Sequence, residues 1–344
     1  FCRGSAGRYI GEFMQATVYG TEITVLEMLE RNPSLLMERG HIERGVITDY
    51  SKRKYSGLTA YQLALCAGDD VMARNMKDLY LKKRATAAGS ELKDQEKAAA
   101  EEEAKTKAQA ELDKQFDELF PNGYQAHLNE QDTHTFNFKV ILKAIKNATP
   151  QELQAALDNP DIDSELGRAL AAFKAAFTTQ SLNEKVFNPH HLMEAFLIYN
   201  AKFETWYGNS NNYPHRWLKM DLFWRQVIGQ VQRYLPANYM QAFCTGLSNM
   251  IDNNEPLKRT MKVYNNATGN VVAIFPLDSD PSCRLGSHVA LYSKGGAWRA
   301  GAHSSERACD IAGFFIHYCQ EKIANIEKLR SEPKRVLTNR AAVK

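Results

Sequence analysis

The sequence lacks the features that mark several large classes of protein. Its 344 residues contain no uninterrupted apolar run of the roughly 18 residues that a membrane-spanning helix needs. None of the six cysteines belongs to a C-x-x-C pair, which argues against a structural zinc site. Neither sign of charge dominates, since 43 Lys and Arg stand against 40 Asp and Glu. This balance of +3 gives no reason to expect a nucleic-acid partner.

Catalytic and phosphate-binding motifs are also missing. The sequence holds no Gly-rich phosphate loop, no H-E-x-x-H, no G-x-S-x-G and no protein-kinase set. The nearest candidate chemistry is a cysteine and histidine arrangement formed by Cys283, His288 and His303, in which a histidine could activate a thiolate. The spacing does not favour a metal site, and no cofactor is expected. Whether the chain is an enzyme stays open at this point.

The sequence is instead rich in helical periodicity, and its 44% of hydrophobic residues is ordinary for a globular protein. Apolar and aromatic residues recur at three- and four-residue spacing up to about residue 255, which predicts helices whose aromatic stripes form a core. After Leu257, the runs 260–264 and 271–275 flank a turn-rich segment and predict a β-hairpin, to which 288–292 adds a third strand.

Residues 57–80 predict two helices joined at Gly68, the second of them beginning at Asp69 or Asp70. The string Thr59-Ala-Tyr-Gln stands where ankyrin repeats carry Thr-Pro-Leu-His, so the pair resembles an ankyrin repeat. Gly20 and Gly68 are 48 residues apart, however, whereas an ankyrin period is about 33. The expected fold is mainly α, with ankyrin-like helical hairpins packed on a helical bundle and a small antiparallel β element near the C-terminal end. An unrelated helical hairpin is the alternative.

Shifts in composition divide the chain into four segments. They are an ankyrin-like helical region with an insert (1–85), a long charged helix (86–122), a helical domain (123–255), and a small β element with a C-terminal helix and a basic tail (256–344). From Ser90 to Glu118 the charged helix has ten acids and five lysines, and its larger apolar residues come late, at Leu112, Phe116 and Leu119. We therefore expect a solvated helix that docks by its C-terminal end.

The insert between the ankyrin-like helices, Glu38 to Tyr55, is polar and basic. A loop of this length is uncommon unless it is functional or disordered. Its mixture of charge and aromatic anchors predicts a surface that binds a protein partner, since Tyr and Arg often dominate binding energy. The candidate partner-binding residues are Arg39, Arg44, Asp49, Tyr50, Arg53 and Tyr55.

Two plainer interpretations apply to the same insert. The tetrapeptide 48–51 is also typical of a turn in which Asp49 hydrogen-bonds nearby backbone. The basic run 52–54 is typical of a solvated surface, where it could steer an acidic partner.

Three patches of sequence, in order, carry a likeness to a known group. They are Asn32-Pro-Ser-Leu-Leu with Val46-Ile-Thr-Asp-Tyr-Ser and Leu58-Thr-Ala-Tyr-Gln-Leu-Ala-Leu, then Thr135-Phe-Asn-Phe-Lys-Val-Ile-Leu-Lys-Ala, then Phe223-Trp-Arg-Gln-Val-Ile-Gly-Gln-Val-Gln-Arg-Tyr-Leu-Pro-Ala. From about residue 14 to 300 the sequence resembles a large group of Legionella-type effectors delivered by type IV secretion. The group is functionally mixed, so the resemblance transfers no active-site residue.

The resemblance implies delivery into the cytosol of a eukaryotic host cell and a role in virulence. The leading hypothesis is an effector that acts as a protein-interaction module on a host protein. Two alternatives remain open: an effector enzyme that uses a site around Cys283, His288 and His303, and a scaffold in the bacterial cytosol.

Overall fold

The structure is a computed structural model, and it describes residues 3–40, 47–159, 161–207, 213–265, 270–275, 285–287, 289–292, 297–299 and 308–330. Over these residues the fold is mainly α with a small β element, which confirms the predicted class. No helix in the described part is long and apolar enough to cross a bilayer.

The N-terminal part consists of helices and one short hairpin of strands. Its elements are α1 (Arg3–Val18), α2 (Glu22–Arg31), a 3-10 helix (Pro33–Met37), β1 (Ile47–Thr48), β2 (Lys54–Tyr55), α3 (Ala60–Cys66), α4 (Asp70–Gly89), α5 (Asp94–Leu119) and α6 (Tyr124–Asp132). Helix α1 packs on α2 and α3, and α4 forms a helical hairpin with α5. Their apolar faces meet in one core, to which α5 contributes Phe116.

The joint between α3 and α4 forms as the sequence predicts. Thr59 begins α3 with a capping box, because its side chain accepts from Gln62 N–H while the Gln62 side chain accepts from Thr59 N–H. Gly68 ends it with φ +66°, a left-handed backbone that favours glycine. The Asp69 side chain then caps α4 by accepting from Met72 N–H. The likeness to ankyrin repeats stays a prediction.

Helix α5 is solvated over its first half and buried near its end, as expected. Lys105 and Lys107 are exposed, whereas Leu112 and Phe116 are fully buried. The cause is the sequence, because alanines and charged residues provide too little apolar surface to cover a face before Leu112.

The middle of the chain is a second helical body. Its helices are α7 (Lys139–Asn147), α8 (Pro150–Asp158), α9 (Glu165–Asn183), α10 (His190–Tyr207), α11 (Tyr213–Leu222), α12 (Gly229–Gln232), α13 (Ala237–Thr245) and α14 (Leu247–Asp252), and a π-helix (Phe223–Ile228) joins α11 to α12. Their aromatic residues lie in a separate hydrophobic core, as the stripes of the sequence predict. Within it Phe243 stacks on Phe315 with ring centroids 5.8 Å apart.

A four-stranded sheet follows the helical body. Its strands are β3 (Lys262–Asn265), β4 (Asn270–Ala273), β5 (Ala290–Leu291) and β6 (Ala297–Arg299), in the order β4-β3-β6-β5. Strands β3 and β4 form the predicted antiparallel hairpin, in which Val263 pairs with Val272. One further pairing in this sheet, between β3 and β6, is parallel. Strand β6 lies between β3 and β5, and it pairs antiparallel with β5.

The last helix, α15 (Ala308–Glu327), packs on α10 and reaches back to α4 and α6. Near its end Lys322 is buried and its Nζ lies 2.7 Å from Oδ1 of Asp70. A second cation, the half-buried Arg259, bonds both Glu22 and Asp69 at 2.7 Å. These ion pairs join the N-terminal helices to the C-terminal part. The four predicted segment boundaries remain predictions.

Candidate functional site

The insert forms a tight β-hairpin. Ile47 pairs with Tyr55 across the two strands, and residues 49–52 make the turn. Asp49 closes this turn, because its Oδ1 accepts hydrogen bonds from the backbone N–H of Ser51 and of Arg53, both at 3.0 Å. The structure therefore confirms the turn interpretation of this tetrapeptide. The turn also holds Lys52 at φ +72°, a left-handed conformation that is uncommon for a residue with a Cβ.

Arg53 fastens the hairpin to the helical body. Only 1% of this residue is exposed, so the predicted solvated run is wrong at its central position. Its Nε donates to the carbonyl of Ser181 at 3.1 Å, and Nη2 donates to the carbonyl of Tyr234 at 3.3 Å. Burial opposes the charge, but Tyr55 and Asp49 beside the guanidinium raise the pKa of Arg53 on balance. The hairpin is thus fixed to α9 and to the end of α12 by one buried cation.

Three of the predicted partner-binding residues face the interior. Asp49, Arg53 and Tyr55 are buried together, and the Tyr55 hydroxyl donates to Oδ2 of Asp49 at 3.2 Å. Burial raises the pKa of Tyr55, so the phenol stays neutral. Their polar side-chain atoms are engaged with one another and with nearby backbone groups, which leaves little of them for a partner to contact.

The other candidates lie elsewhere. Nη2 of Arg39 bonds Oε2 of Glu118 at 2.5 Å, and Nη1 donates to the carbonyl of Gly57 at 3.0 Å. This half-exposed arginine ties the insert to α5, away from the turn. Arg44 falls in the stretch 41–46, outside the described residues.

Tyr50, at the tip of the turn, is the middle ring of a three-ring stack. Its centroid lies 4.3 Å from that of Tyr19 and 4.2 Å from that of Phe275, with interplanar angles of 13° and 16°. Burial, with a smaller contribution from Tyr19, raises the pKa of Tyr50 and keeps its hydroxyl neutral. All three rings are half-buried, so the stack joins the end of α1, the turn and the segment after β4 while its edges remain accessible.

Beside this stack lies an open cavity of about 640 Å³, which we call the turn cleft. It is lined by Tyr19, Thr48, Asp49, Tyr50, Ser51, Lys52, Thr178, Leu182, Arg233, Tyr234, Met261 and Phe275. The turn, α9 and the residues after α12 all contribute to this lining. The volume falls in the range of small-molecule and side-chain pockets.

The lining residues from α9 and from the segment after α12 present hydroxyls and a cation. The hydroxyls of Thr178 and Tyr234 lie 2.6 Å apart, and Gln230 donates to Thr178 Oγ1 at 3.4 Å. Arg233 donates from Nη1 to the carbonyl of Leu285 at 2.7 Å, which holds its guanidinium in place. The described lining therefore combines hydroxyls and ring edges with the side chains of Lys52 and Arg233.

The described lining does place a hydroxyl beside a carboxylate, since Oγ of Ser51 donates to Oδ1 of Asp49 at 2.6 Å. Its carboxylate, on Asp49, is engaged with its own turn and with Arg53. The described thiols are elsewhere: Cys66, Cys244 and Cys319 are buried, and burial raises their pKa values, for Cys66 and Cys244 to about 12.

A buried histidine and glutamate pair also lies outside the cleft. Nδ1 of His191 accepts from Phe136 N–H at 3.0 Å, and Nε2 lies 2.6 Å from Oε1 of Glu184. Both ring nitrogens are therefore used to hold the start of α10 against the loop before α7. No group of three or more potential metal ligands occurs among the described residues. The predicted thiol site lies outside the described part of the chain, since Cys283, His288 and His303 all do.

Most of the cleft could not be foreseen from local sequence. Tyr50 and the turn were predicted, whereas Tyr19, Thr178, Arg233 and Phe275 were missed. They come from four distant places in the chain, and no local spacing signals that they meet. Arg233 lies in the string 223–237 that carried the effector likeness, which was the one available signal.

Residues 191–333 match the family described as CBUA0006 C-terminal domain. No curated protein and no solved structure matches the chain. The matched region supplies Arg233, Tyr234, Met261 and Phe275 to the cleft, while the turn and α9 lie outside it.

Proposed function

We propose that this chain is an effector delivered into a eukaryotic host cell, where it acts as a protein-interaction module and binds a host protein at the turn cleft. The resemblance of its sequence patches to Legionella-type secreted effectors supports the delivery. The observation that carries the binding role is the turn itself: the insert singled out for partner binding presents Tyr50 and exposed Lys52 on the wall of an open cavity.

The construction of the turn favours binding. Asp49 and Arg53 hold it from beneath through hydrogen bonds to its own backbone and to α9. A surface that is already ordered loses less conformational entropy when a partner docks. Tyr50 adds a large, rigid side chain of the type that often anchors interfaces.

The chemistry of the lining favours binding over a reaction. Among the described lining residues, cations and hydroxyls predominate, and the Asp49 carboxylate is occupied by hydrogen bonds and by Arg53. General acid–base catalysis would need a base within hydrogen-bond reach of a bound substrate. The lining offers positioning groups instead.

Site-specific photo-crosslinking in host lysate tests the proposal. A photoreactive p-benzoyl-phenylalanine is placed at Lys52 in the cleft and, as a control, at Val140, which is exposed on α7 outside the cleft lining. We expect a discrete host-protein adduct from position 52 that position 140 does not give. Tyr50→Ala in the position-52 protein should weaken that adduct at an unchanged melting temperature. Identical adduct patterns from the two positions would reject the cleft as the binding surface.

Delivery is tested separately. A reporter enzyme fused to the chain and expressed in a bacterium with a type IV secretion system should act in the host cytosol. Reporter activity confined to the bacterium would favour a bacterial scaffold.

A further inference from the structure

Two connecting segments run between the two hydrophobic cores. The linker 133–138 leads from α6, whose Leu128 lies in the N-terminal core, to α7 in the second core. The connection 184–189 leads from α9 to α10, and it places Val186 in the first core and Phe187 in the second. Contacts between these two segments therefore help to attach the N-terminal part to the helical body.

Hydrogen bonds join the linker to α9 and to the start of α10. Nε2 of Gln180 donates to the carbonyl of His134 at 2.6 Å, and neither group titrates. The backbone N–H of Phe136 donates to Nδ1 of His191 at 3.0 Å. This second bond depends on pH, because imidazole is the side chain that ordinarily gains a proton just below neutral pH.

The two contacts of the His191 ring fix which nitrogen carries its hydrogen. A backbone N–H can only donate, so Nδ1 accepts from Phe136 and carries no hydrogen. Nε2 then carries the hydrogen and donates it to Oε1 of Glu184 at 2.6 Å. The ring is neutral in this arrangement, and only 3% of its side chain is exposed. A second proton could bind only to Nδ1, where it would point at the N–H of Phe136.

Charged and titratable groups from several elements lie around this contact. They are Glu184 after α9, His190 on α10, Asp132 at the end of α6 and the exposed His134 on the linker. Nδ1 of His190 lies 3.2 Å from Oδ1 of Asp132; burial lowers the pKa of His190, although Asp132 opposes this. From α9 itself an apolar ring, Phe177, packs against the imidazole of His191 with centroids 5.5 Å apart.

Glu184 determines which of the two ring contacts a proton breaks. Its carboxylate would hold an imidazolium through Nε2 at least as well as it holds the neutral ring. The same carboxylate interacts electrostatically with Arg53 of the insert hairpin, which favours its charged form. Protonation of His191 therefore keeps the bond to Glu184 and removes the bond to Phe136.

We infer that His191 is a proton-sensitive latch between the two helical bodies. The neutral ring holds the linker through Phe136, and a proton on Nδ1 releases the linker while Glu184 retains the ring. Acid thus favours a state in which the two cores are joined less firmly. The inference is independent of the proposed function, since it requires neither the turn cleft nor a host protein, and photo-crosslinking at position 52 does not test it.

Hydrogen exchange of phenylalanine amides tests the latch in the full chain. Isotope labelling of phenylalanine alone lets NMR follow Phe136 N–H from about pH 7.5 to about pH 5, across the range in which histidine titrates. The result is expressed as a protection factor, which removes the direct effect of pH on exchange. Phe120 N–H, which bonds the carbonyl of Phe116 at 2.9 Å, is the internal reference because neither of these groups titrates.

We expect the protection of Phe136 to fall about tenfold for each pH unit below about 6.5, the ordinary pKa of histidine, because only the neutral ring closes the latch. Phe120 should stay protected. In His191→Asn the protection of Phe136 should not vary with pH, since an amide oxygen can accept the same hydrogen bond and does not titrate. His190→Asn, the matched control on the same helix, should behave as the wild type does.

The wild-type profile decides the question even if a variant fails to fold. Constant protection of Phe136 over the whole pH range would overturn the inference. Equal losses at Phe136 and Phe120 would also overturn it, because they would indicate general acid unfolding. Nitrogen NMR of His191 at neutral pH must show hydrogen on Nε2 alone, and hydrogen on Nδ1 would exclude the latch. A pH dependence that persists in His191→Asn, or that disappears in His190→Asn, would assign the effect to another group and reject His191.

Discussion

Arg53 and Asp49, four residues apart in sequence, form an ion pair that is almost completely buried, with Nη1 and Oδ2 3.3 Å apart. Among the described residues, Arg53 makes the only side-chain hydrogen bond between the insert hairpin and α9, to the carbonyl of Ser181. Asp49 closes the turn, and Arg53 fastens that turn to a distant helix. Solvated side chains on the surface would do neither.

Replacing Arg53 by alanine should lower the free energy of unfolding by about 3–5 kcal/mol, because Asp49 would remain buried without its cation. Lys54→Ala, one residue away and exposed, should change it by less than about 0.5 kcal/mol. Urea denaturation of the two variants measures the difference. Similar values for both would mean that the buried pair does not hold the hairpin.

The Asp69 carboxylate should make the free energy of unfolding depend on pH in the acid range. Burial alone would raise its pKa, but the charge and hydrogen bonds of Arg259 outweigh burial and lower it. A carboxyl group whose pKa is lowered by folding stabilises the native state above its ordinary pKa, and this contribution is lost as the pH falls through the folded value.

The matching experiment compares wild type with Asp69→Asn, which keeps the helix cap but removes the charge. The wild type should be more stable at about pH 6, and this advantage should shrink towards about pH 3. Urea denaturation across this range gives the difference at each pH. A difference that does not vary with pH would show that Asp69 keeps the same ionisation in the folded and unfolded chain.

The described cysteines should resist alkylation. Burial raises the pKa of Cys66 and of Cys244 to about 12, so almost no thiolate exists at neutral pH. Iodoacetamide at neutral pH should leave both unmodified in the native protein and label both after denaturation, as read by peptide mass spectrometry. Rapid labelling of either one in the native state would contradict its burial.

Gly229 should not tolerate a side chain. A Cβ at this position would lie 2.5 Å from the carbonyl of Val289 and 2.8 Å from the backbone nitrogen of Gly286, neither of which can rotate away. Gly229→Ala should therefore cost about 1–3 kcal/mol of stability. Gly11→Ala on α1 is the control, since its Cβ would meet nothing within 4 Å and should stabilise the helix by up to about 1 kcal/mol. Thermal unfolding of both variants and the wild type measures whether each substitution lowers or raises the melting temperature.

Hydrogen exchange should divide α5 into two halves. Amides from 94 to 107 should exchange fast, and those near Leu112 and Phe116 should exchange slowly, because only the second half is buried against the core. Uniformly slow exchange along the helix would contradict this prediction, because it would mean that the first half of α5 is also protected from solvent.

Local chemistry explains what the sequence could predict. Thr59, Gln62, Gly68 and Asp69 act on backbone groups within a few residues, so the α3–α4 joint was readable from their order. The first half of α5 was readable from its scarcity of apolar residues. The β3–β4 hairpin was readable from a turn between two β-rich runs.

The parts that the sequence could not reveal depend on distant contacts. Arg53 belongs to a run of three basic residues, and only the carbonyl of Ser181, 128 positions away, explains why the middle one is buried. The parallel pairing of β3 with β6 likewise depends on where the intervening chain is routed. The cleft gathers Tyr19, Thr178 and Phe275, and no spacing rule relates them.

Two cations at the junction, the buried Lys322 and the half-buried Arg259, link the matched region to the rest of the chain. Arg259 and Lys322 lie inside the matched region 191–333, whereas the carboxylates that neutralise them, on Glu22, Asp69 and Asp70, lie outside it. A relative that kept the matched region but joined it to a different N-terminal part would leave these two cations without their carboxylate partners. This loss would strongly destabilise the folded state. Such a relative must either provide carboxylates at the same places or replace both cations. We therefore expect substitutions at the two cations and at their three carboxylate partners to occur together.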